Sequence, residues 1–301
     1  MTGAAAGEGR ALSVVDSNAH VTSPAVTRHV YPLAPLSGGQ PAAAPDIAPE
    51  PSVEELVAAM DEADVSCAFL IGSRNHGFDN RYCCDSGSRY PGRFVTVANI
   101  NVYSDSAVED VRYWTGERRM HGVRLWGGGR GIAHWIDDSR FYPVWNCISE
   151  LGIPANAQTT NAEMLPATKS LLERLPSLRL TVNNMAHVPL AAGTDSEAAQ
   201  CLFDLARFPN VYVNMGGQFI EKAADPQAVE RQFLERLLDT FGAGRLLWSV
   251  FYPSPPAVDY PAAVKAVRES LRKLSPADEA LVAGGAARGL YRLEDSGRAD
   301  G

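Results

Sequence analysis

Short apolar runs rich in Val, Ile, Leu and Phe recur along the chain, and each is followed by residues whose apolar positions fall at helical spacing. The runs are Leu12 to Asp16, Cys67 to Ile71, Phe94 to Ile100, Gly122 to Leu125, Ile153 to Ala157, Leu178 to Val182, Val211 to Val213 and Leu246 to Trp248. Ser52 and Glu55 form the S-x-x-E signature of a capped helix start, and Val53, Leu56, Val57 and Met60 give that helix one apolar face. Phe233, Leu237, Leu238 and Phe241 form the same kind of stripe on a helix over 229–241. Further helices are predicted near 106–115, 141–151, 163–174, 196–206, 261–274 and 277–287. Val21 to Pro51 is rich in Pro and Ala, holds no period, and reads as a long loop.

Strands that alternate with helices build a parallel sheet, and right-handed crossovers leave an open doubly wound sheet or a closed barrel. The count of eight favours a (β/α)8 TIM barrel, which needs about 250 residues. The chain has 301. One barrel over 11–292 is expected, between a disordered tail at 1–10 and a flexible tail at 293–301. Gly127 to Gly131, GGGRG, lacks the G-x-G-x-x-G spacing of a phosphate loop and reads as a flexible connection.

A formal net charge of -8 argues against nucleic acid and against an anionic membrane surface as partners. No apolar run reaches the roughly 18 residues that span a bilayer. The start, MTGAAAGEGRA, lacks the charged and apolar regions of a signal peptide, so a cytoplasmic location is expected. Cys67, Cys83, Cys84, Cys147 and Cys201 are odd in number and irregular in spacing. They suit neither a redox pair nor a zinc site, and read as free thiols.

In such a barrel the chemistry sits at the C-terminal strand ends. Those ends hold Asp16, Asn18 and His20; Arg124 and Trp126; Asn156 and Gln158; Asn183 and Asn184, with His187 just beyond; Asn214; and Ser249, Val250, Phe251 and Tyr252. Six of these are amides. Amides donate and accept hydrogen bonds without titrating, so they orient a ligand but do not act as general bases.

At this point the residues resemble a known family. VVDSNAHV is similar to the first-strand D-x-H-x-H of the amidohydrolase-related barrels. SVEELVAAMDEADV resembles their first helix, PGRFVTVANINV their third strand, and FGAGRLLWSVFYP their last strand. The resemblance runs from about Leu12 to Leu290. It implies a metal site, but the ligand positions differ. Asn18, Gln158 and Asn184 stand where metal histidines would be, Asn214 replaces a lysine, and Phe251 replaces the last-strand aspartate. His20 alone matches, with Asp16 beside it. Two ligands fall short of a zinc site, so no metal or other cofactor is expected. The Pro-rich segment, HGFDNR, Arg124 and Arg130 resemble the metal-free 2-pyrone-4,6-dicarboxylate lactonase branch, in which arginines hold substrate carboxylates.

The expected reading is an enzyme for a small carboxylated or oxygenated-ring substrate, working by proton transfer. His20 is the candidate acid/base and Asp16 its orienting partner. Asn18, Arg124, Gln158, Asn184, His187 and Asn214 are candidate substrate holders, and Trp126, Phe251 and Tyr252 an apolar wall. Metal-independent lactone or amide hydrolysis, and a non-catalytic partner subunit, remain open alternatives. So does homo-oligomerisation. His76 and Asn80 read as loop-forming, and His29, His121 and His134 as structural or surface residues.

Overall fold

A computed structural model of the protein describes residues 14–34, 36–37, 40–41, 50–127, 135–157, 162–216, 228–250 and 259–293. Eight parallel strands pair in sequence order: β1 Val14–Ala19, β2 Val65–Ile71, β3 Phe94–Asn101, β4 Gly122–Trp126, β5 Ala155–Ala157, β6 Leu180–Val182, β7 Val211–Asn214 and β8 Leu246–Leu247. The sheet bends round until β1 meets the chain just past β8, where the Ser17 N–H donates to the Trp248 carbonyl at 3.1 Å. This is the expected (β/α)8 barrel.

Around it pack α1 Val53–Glu62, α2 Arg81–Arg89, α3 Ala107–Arg112, α4 Tyr142–Leu151, α5 Leu165–Arg174, α6 Glu197–Asp204, α7 Ala228–Phe241 and α8 Tyr260–Leu271. The short helices α9 Pro276–Ala280 and α10 Ala286–Tyr291 end the described chain. The capping box is present as the sequence predicts: Ser52 caps α1 and Glu55 reaches back to the Ser52 N–H. No described helix is long and apolar enough to cross a membrane. The described cysteines are all free.

The core divides by the period-two alternation of the strands. Alternate residues face outward: Ala68, Leu70, Ala98, Ile100, Val123, Leu125, Ala155 and Ala157 meet the helices. The intervening residues Val15, Cys67, Phe69, Ile71, Val95, Val97 and Leu247 form a separate cluster that fills the lower lumen. Ala286, Ala287 and Leu290 of α10 join that cluster from below, and the Tyr291 ring meets Phe69 edge-on at 4.6 Å. The lower lumen is thus solid and apolar, and polar side chains are confined to the top.

Three expectations change. β1 runs to Ala19 rather than stopping near Asp16, so Asn18 lies inside the strand. The Pro-rich segment is not all loop: Ala25–Thr27 makes a helical turn, and Leu36–Ser37 pairs antiparallel with Gln40–Pro41. The helix predicted over 277–287 is broken into α9 and α10 by a wider turn at Leu281–Gly285. The tails, Gly128 to Gly131 and His134 lie outside the described residues.

Leu290 is fully buried at the base of the lumen. Leu290→Ala is expected to lose about 2–5 kcal/mol of stability, as other buried leucine truncations do. A urea midpoint unchanged from wild type would show that α10 does not plug the barrel.

Candidate functional site

The site begins with the way β1 is set against its neighbours. Its pairing with β2 is irregular between Asp16 and Ala19. Val15 faces the lumen, so Asp16 faces away. Its carboxylate accepts the Tyr260 hydroxyl of α8 at 3.1 Å, the Val250 N–H at 3.1 Å and the Asn18 N–H at 3.2 Å. Asp16 is fully buried, and that burial pushes its pKa up to about 7. It clasps β1, the chain past β8 and α8 together. None of these three hydrogen bonds goes to His20, the residue that the sequence leads one to expect Asp16 to orient.

His20 follows β1 and turns to the mouth. Its Nδ1 lies 3.1 Å from the Ile71 carbonyl, an oxygen that can only accept. Nδ1 therefore carries the proton, and the neutral ring holds its lone pair on Nε2. Burial, then the nearby charge of Arg124, lowers its pKa to about 3, against the Ile71 hydrogen bond; Arg74 lowers it further. A free imidazole exchanges protons near neutrality; this one stays neutral there.

The buried amides fall into two groups. Asn214 and Asn99 are engaged in structure. Asn214 donates through Nδ2 to the Ser17 hydroxyl, which donates onward to the Trp248 carbonyl, while Asn214 Oδ1 accepts the Gly216 N–H at 3.0 Å. This chain closes the seam of the barrel and engages both amide atoms of Asn214, an expected substrate holder. Asn99 Nδ2 donates to the Gly72 and Gly77 carbonyls, and its Oδ1 accepts the Trp126 indole N–H at 3.1 Å. Asn80 in turn accepts the Asn99 N–H, and His76 accepts the Ser23 N–H; both build loops, as expected.

The second group is unengaged. Among the described residues, Asn18 is fully buried with neither amide atom bonded, and Asn156 Oδ1 and Asn184 Oδ1 have no partner. Buried polar groups without partners are rare, because each forfeits its hydration. Asn184 opens a left-handed turn: Asn184, Met185, Ala186 and His187 have φ of 46°, 51°, 52° and 52°. Left-handed backbone costs an L-residue roughly 1–2 kcal/mol, and such strain persists only where packing imposes it. Met185 and Ala186 are fully buried and supply that packing. The turn ends with His187 exposed.

Arg124 is the strongest feature. It is 4% exposed, and its guanidinium makes no hydrogen bond or ion pair with any described residue. Its nearest ring is Trp126, 5.6 Å away, in cation–π geometry. Burial lowers its pKa to about 10, and Glu50 opposes the fall, so it remains a cation. Glu50 is a residue the sequence reading missed. Its Oε2 accepts the Thr22 hydroxyl at 2.6 Å and the Ser73 hydroxyl at 2.5 Å. Burial raises its pKa, against those hydrogen bonds and the charges of Arg74 and Arg124. The available signal was a lone carboxylate next to α1, closing a loop otherwise nearly free of acids. Gln158, Phe251, Tyr252 and Arg130 lie outside the described residues.

The fold family implies a metal, and the side chains can be tested against one. Among the described residues no three His, Cys, Asp or Glu side chains are grouped to hold an ion. Asn18 replaces a ligand, Asp16 is bonded to Tyr260 and Val250, and a buried guanidinium stands at the mouth, so His20 Nε2 is the matching donor left among the described residues. Neutral amides are poor zinc ligands, and a fixed cation repels a second one. This donor set does not fit a divalent ion.

The barrel with a polar mouth is that of the amidohydrolase class. The amidohydrolase family model matches residues 15–293, and the chain belongs to that family. It is similar to an L-fucono-1,5-lactonase of Burkholderia ambifaria, 27% identical over 222 residues, which are 72% of this chain and 76% of that protein. Its fold matches a probable 2-pyrone-4,6-dicarboxylic acid hydrolase from Acinetobacter baumannii, solved with citric acid bound (TM-score 0.72, 14% identity, 93% of this chain and 100% of that one). It also matches a 5-carboxyvanillate decarboxylase from Sphingomonas paucimobilis (TM-score 0.66, 17% identity, 94% of this chain and 100% of that one).

Asp16 yields a pH prediction. Its folded pKa, about 7, lies above the ordinary 3.8, so the folded state holds the proton more tightly. Its contribution is full below pH 3.8 and is lost as pH rises through 7, by at most about 4 kcal/mol. Asp16→Asn keeps an acceptor for both N–H groups and cannot ionise. Its stability relative to wild type should therefore rise between pH 4 and pH 8. A relative fall over that range in thermal denaturation would mean the ionised carboxylate is needed.

Proposed function

We propose that the protein is a metal-independent enzyme that binds a small carboxylated, oxygenated-ring compound at the barrel mouth and acts on it by proton transfer. The observation that carries this reading is Arg124, a buried cation with no anion hydrogen-bonded to it among the described residues. Leaving such a charge uncompensated is strongly unfavourable, and a ligand carboxylate would supply the missing bidentate partner. Asn18 Nδ2 would donate to a ring oxygen, and the open Oδ1 atoms of Asn18, Asn156 and Asn184 would accept from ligand hydroxyl groups. Trp126 would flank the ring from beside Arg124.

His20 fits this scheme as a neutral group. Its Nε2 would accept a hydrogen bond in the free protein. A ligand carboxylate on Arg124 would cancel part of the charge that lowers its pKa, making the ring a better base once substrate is bound. The relatives point to the same chemistry. One fold relative holds citric acid, a tricarboxylate, and another is named for decarboxylating a ring acid. Isomerase, lyase and cyclase reactions share the need for a positioned proton carrier and a shaped pocket. The lactonase relative favours a second reading, metal-free lactone hydrolysis, which also requires a water activator.

The test is a panel of ring acids and lactones incubated with chelator-treated protein in water enriched in oxygen-18. Turnover without label in the product supports proton transfer, and label supports the hydrolytic reading. Activity that appears only with added zinc removes the metal-free assignment. Binding without turnover across the panel favours a binding protein. Arg124→Met is expected to weaken binding of citrate or isophthalate at least about 30-fold, the usual loss when one partner of a buried charge pair is removed. It should at the same time raise the melting temperature, because an unpaired buried charge is gone. Unchanged affinity in calorimetry would refute the role of Arg124.

A further inference from the structure

We infer that Glu50, on the segment between β1 and α1, is a catalytic acid/base of this site; the inference rests on the carboxylate-binding reading above. Three features of its placement support it. The first is the asymmetry of its carboxylate: Oε2 accepts both the Thr22 and Ser73 hydroxyls, while Oε1 makes no hydrogen bond among the described residues. One oxygen is anchored and the other is left to meet a ligand. A merely structural carboxylate, such as Asp16, engages both its oxygens.

The second feature is location. Thr22 follows β1 and Ser73 follows β2, so both anchors lie at the C-terminal strand ends. Ser73 continues the lumen-facing alternation of Cys67, Phe69 and Ile71. Asn75 stiffens the anchor by donating from Nδ2 to the Thr22 hydroxyl and from its backbone N–H to the Ser73 hydroxyl oxygen. Glu50 is thus held over the same mouth as Arg124, whose charge it senses together with that of Arg74.

The third feature is the need the site otherwise leaves unmet. The amides do not titrate, Asp16 is bonded into the helix layer, and His20, neutral near pH 7, has no Nε2 proton to give as an acid. Among the described residues Glu50 is the remaining acid at the mouth, and burial moves it toward the working pH, as proton-transferring carboxylates require. Its carboxylate would take a proton from a C–H or O–H bond of the ligand, with the bonding pair staying on the ligand. It would return that proton to another atom of the same ligand. Nothing is oxidised or reduced and no co-reactant is consumed.

A ligand carboxylate placed on Arg124 removes the cation that favours ionised Glu50 and adds an anion beside it. Binding must therefore raise the proton affinity of Glu50. Isophthalate, a ring dicarboxylate fully ionised at neutral pH, is a suitable probe. Calorimetry between pH 6 and 9, in buffers of different ionisation enthalpy, reads the protons taken up per ligand bound. Wild type is expected to take up to about one proton in part of this range. Glu50→Gln should bind with no uptake and lose turnover of whichever ring acid the panel identifies. Glu50→Asp should restore part of the uptake, and His20→Gln should keep it. Binding without uptake, or uptake that survives Glu50→Gln and disappears in His20→Gln, overturns the assignment of Glu50 alone. No isophthalate binding by folded wild type overturns the carboxylate-site reading, and the role of Glu50 with it.

Discussion

One buried positive charge, without an ion pair among the described residues, dominates the upper half of this barrel. Arg124 projects from β4 into a mouth lined by neutral amides, and no described side chain forms an ion pair with it. In a buried site a unit charge acts strongly on every titratable neighbour. It depresses His20, helps keep Glu50 ionisable against its burial, and makes the mouth a poor place for a metal cation. Beneath it the described lumen residues are apolar, with Leu290 and Tyr291 packed against them from below.

The polar residues around that charge have separate tasks. Asn214 and Ser17 bridge to the Trp248 carbonyl and close the barrel where β8 is only two residues long. The approach is tight: a Cβ on Gly216 would lie 2.3 Å from the Ser249 hydroxyl and 2.8 Å from Asn184 Oδ1. Asn99 ties the loop after β2 to Trp126. With these groups consumed by the scaffold, the buried amide atoms of Asn18, Asn156 and Asn184 are left without hydrogen-bond partners among the described residues. The left-handed turn at Asn184 has the same character, since packed neighbours hold it in a conformation its residues disfavour.

The family's first-strand motif has been redistributed rather than emptied. Asp16 has become a clasp to Tyr260 and Val250, and Asn18 an open amide. His20 has become a neutral hydrogen-bonding group whose proton affinity is lowered by burial and by the charge of Arg124. A histidine tuned in this way couples proton affinity to ligand charge.

The sequence by itself determined the barrel. Period-two strands alternating with period-3.6 helices, repeated eight times, leave few topologies, and those signals are local. The capped start of α1, the free cysteines and the structural roles of His76 and Asn80 were legible for the same reason. The replaced metal positions were legible because a motif spacing is a local property too. Only the tertiary structure decided the roles at the mouth. That Asp16 is bonded to α8 depends on a tyrosine 244 positions away. Whether an amide serves the scaffold or a ligand depends on which carbonyls from other strands lie within reach. Glu50 had no periodic signal because it sits in a Pro-rich stretch, and it gains meaning from Thr22, Ser73 and Arg124. Proton affinity and hydrogen-bond satisfaction are set by burial and by distant charges, and neither is written in the spacing of residues along a chain.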